Sequence, residues 1–475
     1  MSRKSRALFI ISILISCIPI LLTFNRGINY FDEGYIIEAA RRIAAGEVLY
    51  RDFHFVYTPA TVYILSLFLR VGGNLLIIER IGAALINILG VVFLGLLTRK
   101  FTKNPLLILL SMFSYSLWGP AHLNFMWPVM LVLPLIFCYL YLFLGSYYFL
   151  SGVVMALILL TKQNFGAAVI ASFLISLIWI HLSKRKILKM CLGFIGVIDI
   201  FIIHLLLTGS FIPFINDINL YTIQEILVRK SFSVPFPTQS FGKFILYIFP
   251  ALTSLTIWWG FTKQNTNNKS LIVPLSILGV YVFGIFPTPD WPHLTPLIST
   301  VGILFILVPH AFRVHYRFLS ALLLIGMIGA GSYSLLIRNY YRWEAPVINN
   351  THCFSSGPLK YICADDKNYA IIMQTVPLIE KEAAKDSSIF AFYNNPIYFF
   401  LAHKNNPTRY IDFNVALTKK EQQTVISELS QHKVSVIVTR FPPSFNPSKI
   451  IAGYIEKQYE PIQVVYELTV WRKKN

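Results

Sequence analysis

The chain has 475 residues, 55% of them hydrophobic and only 13% charged, with 41 Lys and Arg against 22 Asp and Glu. A soluble domain carries roughly a quarter charged residues, so the composition, with a mean hydropathy of +0.61, excludes an ordinary water-soluble globule. Much of the net charge of +19 lies in short clusters between apolar runs, the pattern that orients membrane helices, so it is read as topology and nucleic acid is not counted as a partner.

The first apolar run, Ala7–Phe24, follows the basic start MSRKSR. It is long and lacks a small-x-small cleavage site after Phe24, which predicts a retained signal anchor with a cytoplasmic N-terminus. The stretch Asn25–Pro59 then faces outward. Within it Ile36, Ala39, Ala40, Ile43 and Ala44 recur at helical spacing, while Glu38, Arg41 and Arg42 fall elsewhere. This predicts a short amphipathic helix on the membrane surface, stopped at Gly46. Ala60–Val71 is too short to span easily and reads as a second surface or re-entrant helix ending at Gly72 and Gly73.

The later apolar runs are Arg80–Leu97, Pro105–Trp118, Pro128–Leu160 (two spans with a tight turn near Gly145 and Ser146), Phe165–Leu182, Leu188–Leu207, Lys243–Phe261, Leu271–Phe286, Leu297–Phe312 and Phe318–Ile337. With the first, these make about eleven transmembrane helices. Counted from an inside N-terminus, the strongest basic clusters all land on the cytoplasmic side. A long outer loop, Thr208–Gly242, precedes the run that starts at Lys243.

The expected fold class is therefore a polytopic α-helical membrane protein with a small extracytoplasmic α/β domain. The transmembrane domain covers 1–337 and the polar domain 338–475. In the tail, Ser387–Tyr393 and Val434–Thr439 read as short buried strands, Lys419–His432 as a helix, and Ile462–Trp471 as a final strand or hairpin arm. The order strand, helix, strand suggests some parallel pairing. Cys17, Cys138 and Cys191 lie in apolar runs as small core residues. Cys353 and Cys363 lie in the tail, where a disulfide and two free thiols are both open readings.

Asp32 and Glu33 are adjacent acids in an acid-poor chain. Asp32 lies just before the amphipathic helix, where it could cap the free first-turn amides or serve as a general base toward an acceptor hydroxyl. Both roles are compatible, and patterning alone does not choose between them. Asp290 and His293, in PDWPH, read as turn residues or as contacts to sugar or phosphate. Asp199, within the run Leu188–Leu207, is expected to pack against another span, because a charge at bilayer depth is costly.

The run FDEGYIIEAARRIAAGEVLYRDFHFVYTPATVY, then Gly72-Gly73 and Glu79-Arg80, and the TKQNFG turn around Lys162, resemble the GT-C glycosyltransferases, such as the protein O-mannosyltransferases and the lipid A aminoarabinose transferase. The resemblance implies an inverting sugar transferase of the inner or plasma membrane that uses a polyprenyl-phosphate-linked donor at the outer face. The acceptor would be a glycan, a lipid or a protein. It implies Asp32 as the base with Glu33 supporting it, and Lys162 as a cation for the donor phosphate. Arg51, Arg229 and Lys230 are further candidate cations on the expected outer side. No cofactor is implied, and use of a divalent cation is left open. The chain departs from the family in the outer loop after Trp118, which holds no acid. His122 and Asn124 stand there instead, and His122 reads as a hydrogen-bonding or sugar-contacting residue rather than a metal ligand. Two other classes compete: a transporter or flippase for a lipid-linked sugar, and a glycan polymerase or ligase.

Overall fold

A computed structural model describes residues 2–220, 241–263, 268–284, 291–312, 317–337, 346–385, 387–393, 395–412, 418–440 and 448–474. The chain forms two compact units. One comprises Met1–Phe24, Arg80–Ile203 and Phe232–Ile348; the other comprises Asn25–Glu79, His204–Ser231 and Asn349–Asn475.

The first unit is built from helices and the turns that join them, with no strand among its described residues. The apolar runs form helices Arg3–Thr23, Leu76–Thr98, Pro105–Trp118, Pro128–Leu144, Tyr148–Thr161, Gln163–Ser176, Lys184–Leu207, Phe241–Lys263, Ile272–Gly284 and Arg317–Leu336. Among the described residues, five helices are long and apolar enough to cross a membrane: Arg3–Thr23, Leu76–Thr98, Lys184–Leu207, His293–Phe312 and Arg317–Leu336. Helices Pro105–Trp118, Pro128–Leu144, Tyr148–Thr161 and Gln163–Ser176 are shorter than the length that about 20 apolar residues would give. Local chemistry sets the ends. Asn104 accepts the Leu106 amide at 2.9 Å and Pro105 opens the next helix, the N-cap and first-position preferences acting together. Close packing needs glycine where Tyr148–Thr161 meets Lys184–Leu207. A Cβ on Gly152 would sit 1.9 Å from the Met190 carbonyl oxygen, and one on Gly193 2.1 Å from that of Phe149, so the backbones touch as small residues allow in membranes.

Two expectations differ. The run Leu297–Phe312 is broken into Trp291–Ile298 and Val301–Phe312. Pro296 lies in the first piece, and at the break the Ser299 and Thr300 hydroxyls donate back to the carbonyls of Pro296 and Leu297, satisfying groups that a continuous helix would have paired. Asp199 is exposed on the surface of Lys184–Leu207 rather than packed against another span.

The second unit holds both first-loop helices, Asp32–Ala44 and Ala60–Gly72. The predicted helix forms, but its charged face is covered. Glu38 is fully buried and takes a two-pronged bond from Arg41, while Arg42 is held by Glu47, the Thr408 carbonyl and the face of Phe53. Gly34 lets the short helix Ile397–Leu401 approach, since a Cβ there would lie 2.4 Å from the Ile397 amide nitrogen.

The C-terminal sheet runs in the order Phe390–Phe392, Val436–Arg440, Leu468–Lys473, Tyr459–Val465. The first pair is parallel, with Phe390 opposite Ile437, and the others are antiparallel. The final segment is thus a hairpin of two strands, turned at Tyr466 in the left-handed region (φ 53°). Cys353 and Cys363 are disulfide-bonded. Cys363 also pairs with the start of the first loop, its amide donating to the Asn25 carbonyl and its carbonyl accepting from Gly27, both at 2.8 Å.

Candidate active site

In the second unit, the turn Asn29–Asp32 sets up the acid pair. The Asn29 side-chain oxygen accepts the amides of Phe31 at 3.1 Å and Asp32 at 2.8 Å. Glu33, fully buried, accepts the Asn29 amide at 3.0 Å. The capping oxygen at this turn is therefore supplied by Asn29, and Asp32 is the first helical residue, half-buried. Glu33 holds the turn on which Asp32 stands.

Further along the loop, Arg51 is tied to Asp52 through two bonds of 2.8 and 3.0 Å and is half exposed. That pairing holds the Asp52 carboxyl below its ordinary range.

Asp217 belongs to the loop Thr208–Gly242, in which the sequence shows no clear acid/base constellation. It is buried at the centre of a polar knot. Its carboxylate accepts the Phe55 amide at 3.2 Å and the Arg409 guanidinium at 3.2 Å, with His54 Nε2 at 3.8 Å. Burial raises Asp217 to about 6 against the opposing pull of Arg409. Burial and Arg409 push His54 down to about 3, so His54 is neutral at pH 7 and its contact is not an ion pair. Arg409 also donates to the carbonyls of Tyr50 and Arg51. Phe55 stacks on Tyr35 at 5.2 Å, and the Tyr35 hydroxyl accepts the Val56 amide. Tyr35 lies on the helix that Asp32 opens, so the knot steadies that helix through packed rings.

In the first unit, cations converge on the segment Asn124–Trp127. Lys162 is the extended residue between helices Tyr148–Thr161 and Gln163–Ser176. It is 4% exposed, with Nζ 5.2 Å from the Trp127 ring and 5.3 Å from that of Phe165. His293 packs edge-on to Trp127 at 5.1 Å. Trp127 lies 6.4 Å from Phe125, over which the buried Arg80 guanidinium sits at 5.9 Å. Arg80 also donates to Asn124, whose amide in turn donates to the Thr23 carbonyl. Arg80, Lys162 and His293 thus share one aromatic strip. Asp199 is the single acid among the described residues of this unit, and Glu79 stands next to Arg80 on helix Leu76–Thr98.

Lys162 and His293 both lie against Trp127, and Arg80 of the Glu79-Arg80 motif lies over the neighbouring Phe125. His122 takes no part. It is buried, its ring stacked on Trp118, Nδ1 bonded to the Leu117 carbonyl at 2.7 Å and Nε2 to the Ser334 hydroxyl at 2.8 Å. Burial lowers it to about 4, so the neutral ring donates from Nδ1 and accepts at Nε2, which leaves neither nitrogen to a sugar. Arg229, Lys230 and Asp290 lie outside the described residues. Among the described residues no three His, Cys, Asp or Glu side chains stand together as a metal site would require.

The fold is shared with solved structures along nearly the whole chain. The chain is similar to ArnT from Cupriavidus metallidurans bound to undecaprenyl phosphate, with 12% identity, a TM-score of 0.58, and 99% of this chain and 98% of that one covered. It is similar to the same protein in the apo state, with 13% identity, a TM-score of 0.59, and 98% and 97% coverage. It also resembles the archaeal oligosaccharyltransferase AglB from Archaeoglobus fulgidus in complex with an inhibitory peptide and a dolichol-phosphate, with 12% identity, a TM-score of 0.51, and 97% and 72% coverage. Neither a protein-family model nor a curated protein sequence matches the chain.

Proposed function

We propose that the protein is a membrane glycosyltransferase that moves a sugar from a polyprenyl-phosphate donor to an acceptor hydroxyl on the extracytoplasmic face. The observation that carries the reading is the aromatic strip bearing Arg80, Lys162 and His293. Such a strip suits a lipid phosphate, and the fold is shared along nearly the whole chain with a protein solved bound to undecaprenyl phosphate.

Nucleotide sugars are confined to the cytoplasm, so a site facing outward needs its sugar delivered on a lipid. The acceptor oxygen attacks the anomeric carbon, the bond from that carbon to the phosphate oxygen breaks, and polyprenyl phosphate leaves. Inversion follows from a single displacement. Asp32 takes the acceptor proton as general base, and its place in a first helical turn favours a negative group. Lys162 and Arg80 offset the charge growing on the leaving phosphate. Glu33 and the Asp217 knot position the loop and are not themselves reactive. Arg51 is committed to Asp52 and falls out of the candidate phosphate cations.

The test is incubation of purified protein in nanodiscs with polyprenyl-phosphate sugars labelled in the sugar, with and without divalent cation. Label should move to an acceptor and polyprenyl phosphate should be released. The Asp32→Asn variant, folded to the same thermal midpoint, should lose transfer by about a thousandfold or more. Label that crosses the bilayer still attached to its lipid identifies a flippase instead, and full transfer by Asp32→Asn removes Asp32 as the base.

A further inference from the structure

The first unit carries a second cation-lined feature. A cavity of about 210 Å³ lies between the first turns of helices Arg3–Thr23 and Pro105–Trp118 and the Arg99–Lys103 connection. The charge rule assigns this end to the cytoplasm. Lys4, Arg99 and Lys103 line it, with no acid among its lining residues. Arg99 Nη1 is buried without a hydrogen-bond acceptor among the described residues, while its guanidinium carbon sits 4.7 Å from the centre of the Phe9 ring. A guanidinium nitrogen shut away from water with no acceptor is costly, and a bound anion would relieve that cost.

Two helices of 21 and 14 residues begin at this cavity. Ser2 accepts one amide of the first at 3.2 Å and Asn104 one of the second at 2.9 Å. The remaining first-turn amides add positive potential to that of the three side chains. Ser2, Ser5 and Ser12 add hydroxyls to the wall, and Leu8, Phe9, Pro105 and Ile108 form its apolar side. It continues outward onto exposed surface: Leu8 is 39% exposed, Ile11 49% and Leu106 52%. Lys103 and Pro105 also border an adjoining cavity of about 760 Å³ to which Arg317 contributes.

An anion pocket whose wall continues into bare hydrocarbon fits an amphiphile better than a free ion. Basic pockets between membrane helices on the cytoplasmic side bind acidic headgroups by this chemistry. We propose that this cavity holds the phosphate of an anionic glycerophospholipid, with Arg99 and Lys103 on the phosphate and the acyl chains along Leu8 and Leu106. Bound there, the lipid ties helix Arg3–Thr23 to the corner at Asn104. The proposal does not depend on the transferase reading.

The test uses full-length protein in nonionic detergent, titrated with micellar phosphatidylglycerol, phosphatidylcholine or inorganic phosphate. The readouts are the thermal unfolding midpoint and native mass spectrometry. Phosphatidylglycerol should raise the midpoint by about 2–5 °C and leave at least one lipid on the protein. Phosphatidylcholine and millimolar phosphate should do neither, and Arg99→Gln/Lys103→Gln should lose both effects. If the double variant does not fold, Lys103→Gln alone should retain lipid at least fivefold less well. Equal shifts with the two lipids, an equal shift with inorganic phosphate, or undiminished lipid retention in the variants would overturn the proposal.

Discussion

Asn29 and Glu33 hold each other across the start of a helix. The Asn29 amide donates to the Glu33 carboxylate at 3.0 Å, and the Asn29 side chain accepts the Asp32 amide at 2.8 Å. Two adjacent acids therefore have separable tasks. Glu33→Ala removes a buried acceptor and should cost about 1–2 kcal/mol of stability. Glu33→Gln keeps an acceptor oxygen and should retain transfer within about tenfold of wild type, whereas Asp32→Asn should not. Parallel thermal scans and transfer assays on the three variants separate the roles. If Glu33→Gln is as inactive as Asp32→Asn while equally well folded, Glu33 acts on substrate after all.

The Asp217–Arg409 pair predicts a coupled response. Arg409→Gln leaves a buried carboxylate facing a neutral histidine and should destabilise by about 2–4 kcal/mol, less than a fully buried pair would lose because Arg409 is about a third exposed. Adding Asp217→Asn should recover part of that loss, giving a nonadditive cycle. The pH dependence has a definite sign. Burial raises Asp217 to about 6 from 3.8, so between those values the folded state holds a proton that the unfolded chain has released, and stability falls as pH rises. The gap in stability between wild type and Asp217→Asn should therefore shift by about 2–3 kcal/mol in favour of the variant from pH 4 to pH 7. A gap that is flat with pH means that the carboxylate is ionised throughout this range.

Lys162 can be tested without emptying its pocket. Lys162→Met keeps a stem of similar length against Trp127 and Phe165 while deleting the charge. Its thermal midpoint should stay near that of wild type, and kcat/KM for the polyprenyl-phosphate sugar should fall about 10–100-fold, the worth of one charge-assisted contact. Arg80→Met should show the same fall together with a loss of stability, because Arg80 also bonds Asn124. Unchanged kcat/KM in Lys162→Met would take the strip out of donor binding.

Much of the helical frame was legible because apolar runs carry their own ends. Pro105–Trp118 was read to the residue, and the turn near Gly145 and Ser146 separates two helices as expected. Parallel pairing of Phe390–Phe392 with Val436–Arg440 followed from element order. The polar knot was not legible, because Arg409 and Asp217 are 192 residues apart and neither lies in a motif. The burial of Glu38 escaped for a similar reason: helical spacing shows which face is charged, while what covers that face comes from Thr408 and its neighbours far along the chain. His122 is the hydrogen-bonding residue that one of its two readings expects, and sequence does not decide between them because Ser334, on one of its nitrogens, is 212 residues away.

The Cys353–Cys363 bridge carries a last expectation. It closes a short loop, and Cys363 is hydrogen-bonded in both directions to the chain at Asn25 and Gly27, immediately before the turn that bears Asp32. A bridge with this sequence separation of 10 should stabilise by about 2–3 kcal/mol on the chain-entropy account. Reduction, or Cys353→Ser/Cys363→Ser, should lower the midpoint of the second unit and loosen the first-loop entry before anything else. Hydrogen exchange should then rise first at the amides of Gly27 and Cys363, with transfer falling several-fold because the turn at Asn29 is less well held. Exchange that rises only at residues 352–364, with Gly27 unchanged and transfer intact, would confine the bridge to its own loop and detach it from the site.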